Sequence, residues 1–286
     1  MRLQRLCFLI LILPILALPA YSAPITLGSA SSFGLLGGTI SNTGTSVVTG
    51  DVGATTTVTG FYPTGSATGT VYPAPSDPTV TAAYNAVFGT GGAYSTAEGL
   101  SSTGSFTGVS QTFLGGNVYA SSGDISTVTG TNLTFDAQGN PSALFIIQIN
   151  GAFTVNGAMT FTLEGDAQAD NIFWVVGNSS TPYATISVGS SGPIVFDGNI
   201  LAGTFTMSAA SGGSGTLAGT VNGCVFAQNA NTLAGTTDVG GCADTSAGGT
   251  GPTGGGGSVV PEPGSVALLG SGLIALAGFV RRRRQS

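Results

Sequence analysis

The chain is 286 residues long, with 48 glycines, 12 acidic and 6 basic residues, no histidine and a formal net charge of −6. All six basic residues lie at the ends, at Arg2, Arg5 and Arg281 to Arg284, so the body between them has no cation with which to neutralise phosphate. Nucleic acid and anionic membranes are thereby excluded as partners, as is chemistry that needs an imidazole as base or metal ligand near neutral pH.

Residues 1–23 read as a secretory signal: a basic start, the apolar run Leu6 to Leu18, and small residues before a cleavage point after Ser22 or after Ala23. The apolar run is short for a permanent span. The body, residues 24–246, is large enough for one sizeable core. Its apolar residues come in short β-type runs punctuated by Gly and Asn, which predicts an all-β fold.

One segment departs from the β pattern. After Asp77, residues Val80, Ala83, Tyr84, Val87 and Phe88 recur at helical spacing, which predicts a helix near 78–88. Asp77 is its N-cap, Pro78 its first residue and Gly89 its stop. A helix this short needs a surface to pack on.

Beyond it the runs Leu144 to Ile149, Ile172 to Val176, Asn199 to Ala202 and Cys224 to Ala227 begin 25 to 28 residues apart. Each is followed by a Thr/Ser/Asn segment, and most then by a third strand such as Phe161-Thr162-Leu163 or Ile194-Val195-Phe196. Three strands per repeat is the pattern of a three-faced β-solenoid. A β-sandwich explains the strands but not their repeated order. The first two runs are apolar on both sides of the strand, so their face must be covered, and the helix is the expected cover.

These segments resemble the ice-binding-like β-solenoid family of cold-adapted microbes. The match begins with Leu27-Gly28-Ser29-Ala30, Phe33-Gly34-Leu35-Leu36-Gly37-Gly38 and Val47-Val48-Thr49-Gly50-Asp51-Val52-Gly53, and takes in Ala83-Tyr84-Asn85 of the helix. It continues through Leu133-Thr134-Phe135-Asp136-Ala137-Gln138-Gly139-Asn140-Pro141, Asn171-Ile172-Phe173-Trp174 and Gly198-Asn199-Ile200-Leu201-Ala202. The resemblance implies a right-handed solenoid with discontinuous coil order, one α-helix along one face, and an ice crystal surface as the partner.

Alternation along the Thr segments gives the candidate site. With Phe153, Val155, Ile186, Phe205, Met207 and Leu233 inside, the outward set is Thr154, Asn156, Thr185, Ser187, Thr204, Thr206 and Thr232. Thr39 and Ser41 flank Ile40 in the same way, and Thr127 and Thr129 flank Val128. Stacked coils place such residues about 4.8 Å apart across strands and about 6.6 Å apart along one strand, an uncharged grid of hydroxyls and methyls with spacings near those of ice. Ala152, Ala234 and Pro182-Tyr183 interrupt the grid, and Ser replaces Thr at 41 and 187.

Glu164, Asp166 and Asp170 cluster as paired carboxylates do in carbohydrate enzymes. Solenoid enzymes of that kind also employ basic residues, which are missing here. No catalytic residue, metal or cofactor is expected. Cys7 leaves with the signal, so Cys224 and Cys242 are the remaining pair in an exported chain and are expected to form a disulfide.

Residues 247–259 read as a Gly-rich linker. Residues 260–286 carry Pro261-Glu262-Pro263, an apolar stretch from Ser265 to Val280 and the four arginines. This order resembles the PEP-CTERM sorting signal, which implies recognition and removal by an exosortase in a Gram-negative bacterium. Contact with the membrane is then transient, through the sorting helix alone, and the product is secreted or held at the cell surface. Two functions follow as expectations: ice binding outside the cell through the Thr-rich face, or adhesion to a polysaccharide or surface without catalysis.

Overall fold

The computed structural model describes residues 25–62, 65–73, 75, 77–156, 159–177, 185–190, 194–209 and 217–242. The signal, the linker, the sorting motif Pro261-Glu262-Pro263 and Pro182-Tyr183 lie outside the described residues.

In chain order the N-terminal strands are β1 (Phe33–Asn42), β2 (Val47–Val48), β3 (Asp51–Thr59), β4 (Ser66–Ala67) and β5 (Val71–Tyr72). Two helices follow, α1 (Pro78–Phe88) and α2 (Ala93–Glu98). Next come β6 (Gly104–Ser105), β7 (Gln111–Leu114), β8 (Asn117–Ala120), β9 (Ile125–Thr127), β10 (Asn132–Asp136), β11 (Phe145–Ile149), β12 (Phe153–Asn156) and β13 (Thr160–Glu164). The last group is β14 (Ile172–Val176), β15 (Thr185–Ser190), β16 (Ile194–Asp197), β17 (Asn199–Ala209), β18 (Leu217–Asn222), β19 (Val225–Ala234) and β20 (Thr236–Val239).

Pairing between these strands is parallel and sorts them into three ribbons. The first runs β5-β3-β1-β19-β17-β14-β11-β8-β6. The second consists of the later halves of β3, β1, β19 and β17, continued by β15, β12 and β9. In the long strands a register shift, between Gly37 and Thr39 in β1 and between Ala202 and Thr204 in β17, separates the two halves. The third ribbon is split into β4-β2-β20-β18-β16 and β7-β10-β13. Each turn of chain thus visits the first, second and third ribbons in order. The corner back into the first ribbon is sharp and takes glycine in left-handed conformation, as at Gly50 (φ 99°) and Gly198 (φ 117°).

Stack order does not follow chain order. β1 lies between β3 and β19, so the first turn of the chain stacks on the last. The two ends of the stack, β5 and β6, are neighbours in sequence and are joined by α1 and α2. Side chains fasten the junction of first and last turns. Asn231 Nδ2 donates to Leu36 O at 2.8 Å and Thr237 N to Ser46 Oγ at 2.9 Å, while Tyr84 OH of α1 donates to Gln228 O of β19 at 2.9 Å.

The helix expected near 78–88 forms, because Asp77 accepts from Thr79 N at 2.8 Å and Pro78 loses no bond at the first position. Two corrections apply to its role as the single cover. A second helix, α2, is present, and it is α2 that lies on β11 and β14 while α1 lies on β1, β3 and β19. The division follows from length. The eleven residues of α1 rise about 16 Å, too little to cover the whole ribbon. Gln148, buried on the outer side of β11, donates through Nε2 to Ala97 O, Glu98 O and Leu100 O at 2.8, 3.1 and 2.8 Å. Ala97 O and Glu98 O lie at the C-terminal end of α2 and Leu100 O just beyond it, so one side chain pins this end of α2 to the sheet.

Two apolar clusters result. One, between the first ribbon and the helices, includes Val80, Ala83, Val87, Ile146, Phe173, Val175 and Phe226. The other fills the space enclosed by the ribbons and centres on Trp174, with Phe106, Phe135, Phe153, Phe161 and Phe196 around it.

Cys224 and Cys242 are bonded, with Cα atoms 4.6 Å apart. Closing a loop of this length is worth roughly 3 kcal/mol. Replacing both cysteines with serine should therefore lower unfolding free energy by about that amount, read as a shift in urea midpoint. Unreduced, denatured mature protein should show no free thiol; two labelled thiols would contradict the bond.

Candidate functional site

The second ribbon is a run of in-register strands with Ile40, Phe205, Phe153 and Ile125 turned inward and fully or nearly buried. Alternation then turns the residues on either side outward. One register column reads Thr59, Ser41, Thr232, Thr206, Ser187, Thr154, Ser126 across seven neighbouring strands, every position a hydroxyl residue. Beside it runs a second column: Thr57, Thr39, Ala230, Thr204, Thr185. Thr39, Ser41, Thr154, Thr204, Thr206 and Thr232 are half-buried between their neighbours, whereas Thr57, Thr59 and Ser126 are exposed. At Thr185, Ser187 and Asn156 the backbone register is described and the side chains lie outside the described residues.

The hydroxyls are partly tied to the sheet. Thr59 Oγ1 donates to Ile40 O at 3.2 Å and Thr39 Oγ1 to Asn229 O at 3.3 Å. Such bonds hold χ1, already restricted by β-branching, at Thr39 and Thr59. There is no charged side chain in either column.

The expectation that Thr127 and Thr129 flank an inward Val128 is overturned at Thr127 and at Val128. Thr127 points inward and is fully buried, while Val128 is 66% exposed. β9 enters with Ile125 inside, and its register against β12 pairs Ser126 with Thr154 and Thr127 with Val155, so Thr127 takes a core position. The strand ends there, and Thr129 is exposed beyond it. Ser126, not Thr127, is the outward residue. Turned inward, Thr127 Oγ1 has no hydrogen-bond partner among the described residues.

Sequence reasoning also missed Thr57 and Thr59, although Thr57-Val58-Thr59 repeats the alternation of Thr39-Ile40-Ser41. The interruptions at Ala152 and Ala234 lie at the ribbon's borders: Ala152 precedes β12, and Ala234 pairs with Ser208 beyond the main column.

The acidic residues serve the corners. Asp51 Oδ1 accepts from Thr70 N at 2.7 Å, Asp124 Oδ1 from Ala152 N at 2.8 Å, and Asp136 Oδ1 from Gln138 N at 2.8 Å. With no cation in the body, backbone N–H groups take the place of ion-pair partners. Asp197 is buried and accepts from Asn222 Nδ2 at 2.7 Å; burial pushes its pKa up, and the Asn222 bond opposes that shift. Burial likewise raises Asp170. Glu164 and Asp166 are exposed, and their cluster with Asp170 sits at the turn after β13, away from the hydroxyl columns in chain order. Among the described residues, no three His, Cys, Asp or Glu side chains are grouped to hold a metal.

Comparison with known proteins identifies the family. The family model described as ice-binding-like matches residues 35–238, and the PEP-CTERM protein-sorting motif matches residues 259–284. An ice-binding protein of Nostoc sp. (strain HG1) is 36% identical over 270 residues, which cover 90% of this chain and 87% of that protein. The crystal structure of an ice-binding protein from an Antarctic biological consortium superposes with TM-score 0.60 at 28% identity, covering 76% of this chain and 89% of the other. That of an ice-binding protein from the Antarctic ascomycete Antarctomyces psychrotrophicus gives TM-score 0.61 at 27% identity, covering 75% and 97%. The chain therefore belongs to the ice-binding-like family and carries a PEP-CTERM sorting motif at its C-terminal end.

Proposed function

We propose that this protein binds ice outside the cell, adsorbing through the two hydroxyl columns of the second ribbon, and that the three ribbons are the faces of a right-handed β-solenoid. The seven-strand column from Thr59 to Ser126 carries the reading. Strands of a parallel sheet repeat every ~4.8 Å and alternate outward residues lie ~6.6 Å apart, so the columns form a grid that holds water near ice spacings. Methyl groups favour cage-like water, and hydroxyls anchor it. Stiff β-branched side chains lose little entropy on adsorption. A crystal surface needs no catalytic group, and the protein acts without catalysis.

Residues 24–246 should partition into a slowly growing ice hemisphere and should restrain recrystallisation. A wild-type domain that does neither would overturn the ice reading and leave adhesion to a polysaccharide or surface in its place.

Export is part of the same proposal. Residues 1–23 are removed as a signal, residues 247–259 form the linker, and an exosortase removes the segment from 260 onward, so the mature chain carries no basic side chain. Intact mass of the protein from a Gram-negative host should lack both Arg-bearing ends; a surface form that keeps Arg281 to Arg284 would count decisively against it.

A further inference from the structure

The stack divides into two units that are each continuous in sequence. Residues 25–88 carry β1 to β5 and α1. They pack on themselves: α1 lies on β1, on β3 and on the short helical turn Gly28–Ala30, while Phe33 meets Tyr72 with ring centroids 5.7 Å apart. Residues 93–242 carry α2 and every remaining described strand. The link between the units is Gly89-Thr90-Gly91-Gly92, which ends α1 and caps α2. Gly91 takes the left-handed conformation (φ 72°), and a Cβ added there would meet nothing within 4 Å.

The units meet along a seam, β1 and β2 against β19 and β20. Besides the strand pairing, Thr39 Oγ1 donates to Asn229 O at 3.3 Å, Ser46 Oγ to Gly235 O at 3.4 Å and Val47 N to Asp238 Oδ1 at 3.1 Å. The hydroxyls of Thr45 and Thr236 lie 2.9 Å apart, and the Asn231–Leu36 and Thr237–Ser46 bonds cross the same seam. A strand of other sequence would leave the buried members of this set unpaired, so each edge selects the other. The edge offered by the last turn is held independently of the first unit, because the Cys224–Cys242 bond closes that turn on itself.

We infer that this chain exchanges its N-terminal unit with a second copy, residues 25–88 of each chain seating on β19 and β20 of the other. The exchanged dimer makes the seam twice over and differs from the single chain at the glycine link, which opens from its turn. A short link holds the two units of one chain at an effective concentration of about 1 mM toward each other, so exchange takes hold where copies are crowded. Each dimer then carries two complete hydroxyl ribbons, each with β1 and β3 from one chain and the remaining strands from the other. The proposal does not depend on what those ribbons bind.

Thr45 and Thr236, away from the hydroxyl ribbon, provide the test. The domain, residues 24–246, is made as Thr45→Cys and separately as Thr236→Cys. The two are mixed, unfolded in urea without reductant, and refolded at about 1 mM or at about 10 µM, with oxidant added only after refolding. At the higher concentration size exclusion should resolve a dimer in which a disulfide joins the two chains, and at the lower one that species should be at least tenfold scarcer. Thr45→Cys mixed with Thr134→Cys, on β10 in the other part of the third ribbon, should give no such bond. Gly91→Pro cannot take the left-handed turn, so its dimer should appear at roughly tenfold lower protein concentration. A monomer at both concentrations, or a dimer without the Thr45–Thr236 bond between chains, overturns the exchange. Neither readout needs the Gly91 variant or an ice surface. A folded Gly91→Pro protein with an unchanged dimer fraction overturns the role given to the link.

Discussion

Thr204→Lys together with Thr206→Lys is expected to abolish recrystallisation inhibition while leaving the thermal midpoint almost unchanged. Both residues lie on β17, near the middle of the stack, one in each hydroxyl column, with strands β15 and β19 on either side. Adsorption to a crystal requires the whole patch to meet the lattice at once. A lysine stands several ångströms above its neighbours and keeps its hydration shell, so it lifts the surrounding threonines from the ice. The inward residues Phe205 and Met207 are untouched, and substitution of outward positions should change stability by only about 0.5 kcal/mol. Thr134→Lys with Thr162→Lys, an in-register pair on the third ribbon, is the matched control and should spare activity. Equal damage from the control pair would show that charge anywhere, and not the flatness of the second ribbon, decides activity.

The largest stability effect is expected at Trp174. Its side chain is fully buried, stacks on Phe153 with ring centroids 5.3 Å apart, and lies 5.3 Å from Phe196 and 6.0 Å from Phe161. The indole Nε1 donates to Asp197 O at 2.9 Å and so ties β14 to the end of β16 on another ribbon. Trp174→Ala removes the bulk at the point where all three ribbons meet and leaves a buried carbonyl without its donor. A loss of about 3 to 5 kcal/mol is expected, with the hydrogen bond contributing about 1 kcal/mol of it. Trp174→Phe should recover most of the packing but not that bond. Urea unfolding of the three proteins measures both, and a loss below about 1 kcal/mol for the alanine variant would show that the ring cluster is not the centre of the core.

The second ribbon was legible in the sequence wherever an inward aromatic or branched residue marked the parity of the strand. Phe205 and Met207 made Thr204 and Thr206 readable, and Ile40 did so for Thr39 and Ser41. At Thr127 the same rule misled, because Val128 looks like a core residue. β9 is the last strand of its ribbon and stops at Thr127, so Val128 is free of the alternation that its apolar character suggests. The α1 helix was legible because it has eleven residues, a cap and a clear period; α2, with six, is shorter than two turns and shows none. The meeting of first and last turns leaves no mark in periodicity. What betrays it in the structure is polarity: Asn42, Ser46, Asn231 and Thr237 are buried there, and Asn231 stands in register with Phe205 of the neighbouring strand.

In an ordinary repeat array each unit touches only its neighbours in sequence, and the terminal units cap the stack. Here the first and last described turns meet within the stack, and the stack's two ends, β5 and β6, are joined in mid-chain. Asn231 reaches Leu36 across 195 positions of sequence, so β1 waits for its inner partner until nearly the whole domain has been delivered. Contacts of such separation make for slow folding. In the export proposed above, that delay is useful: the early segment emerges with one flank unpaired, and the body closes only when its last turn arrives.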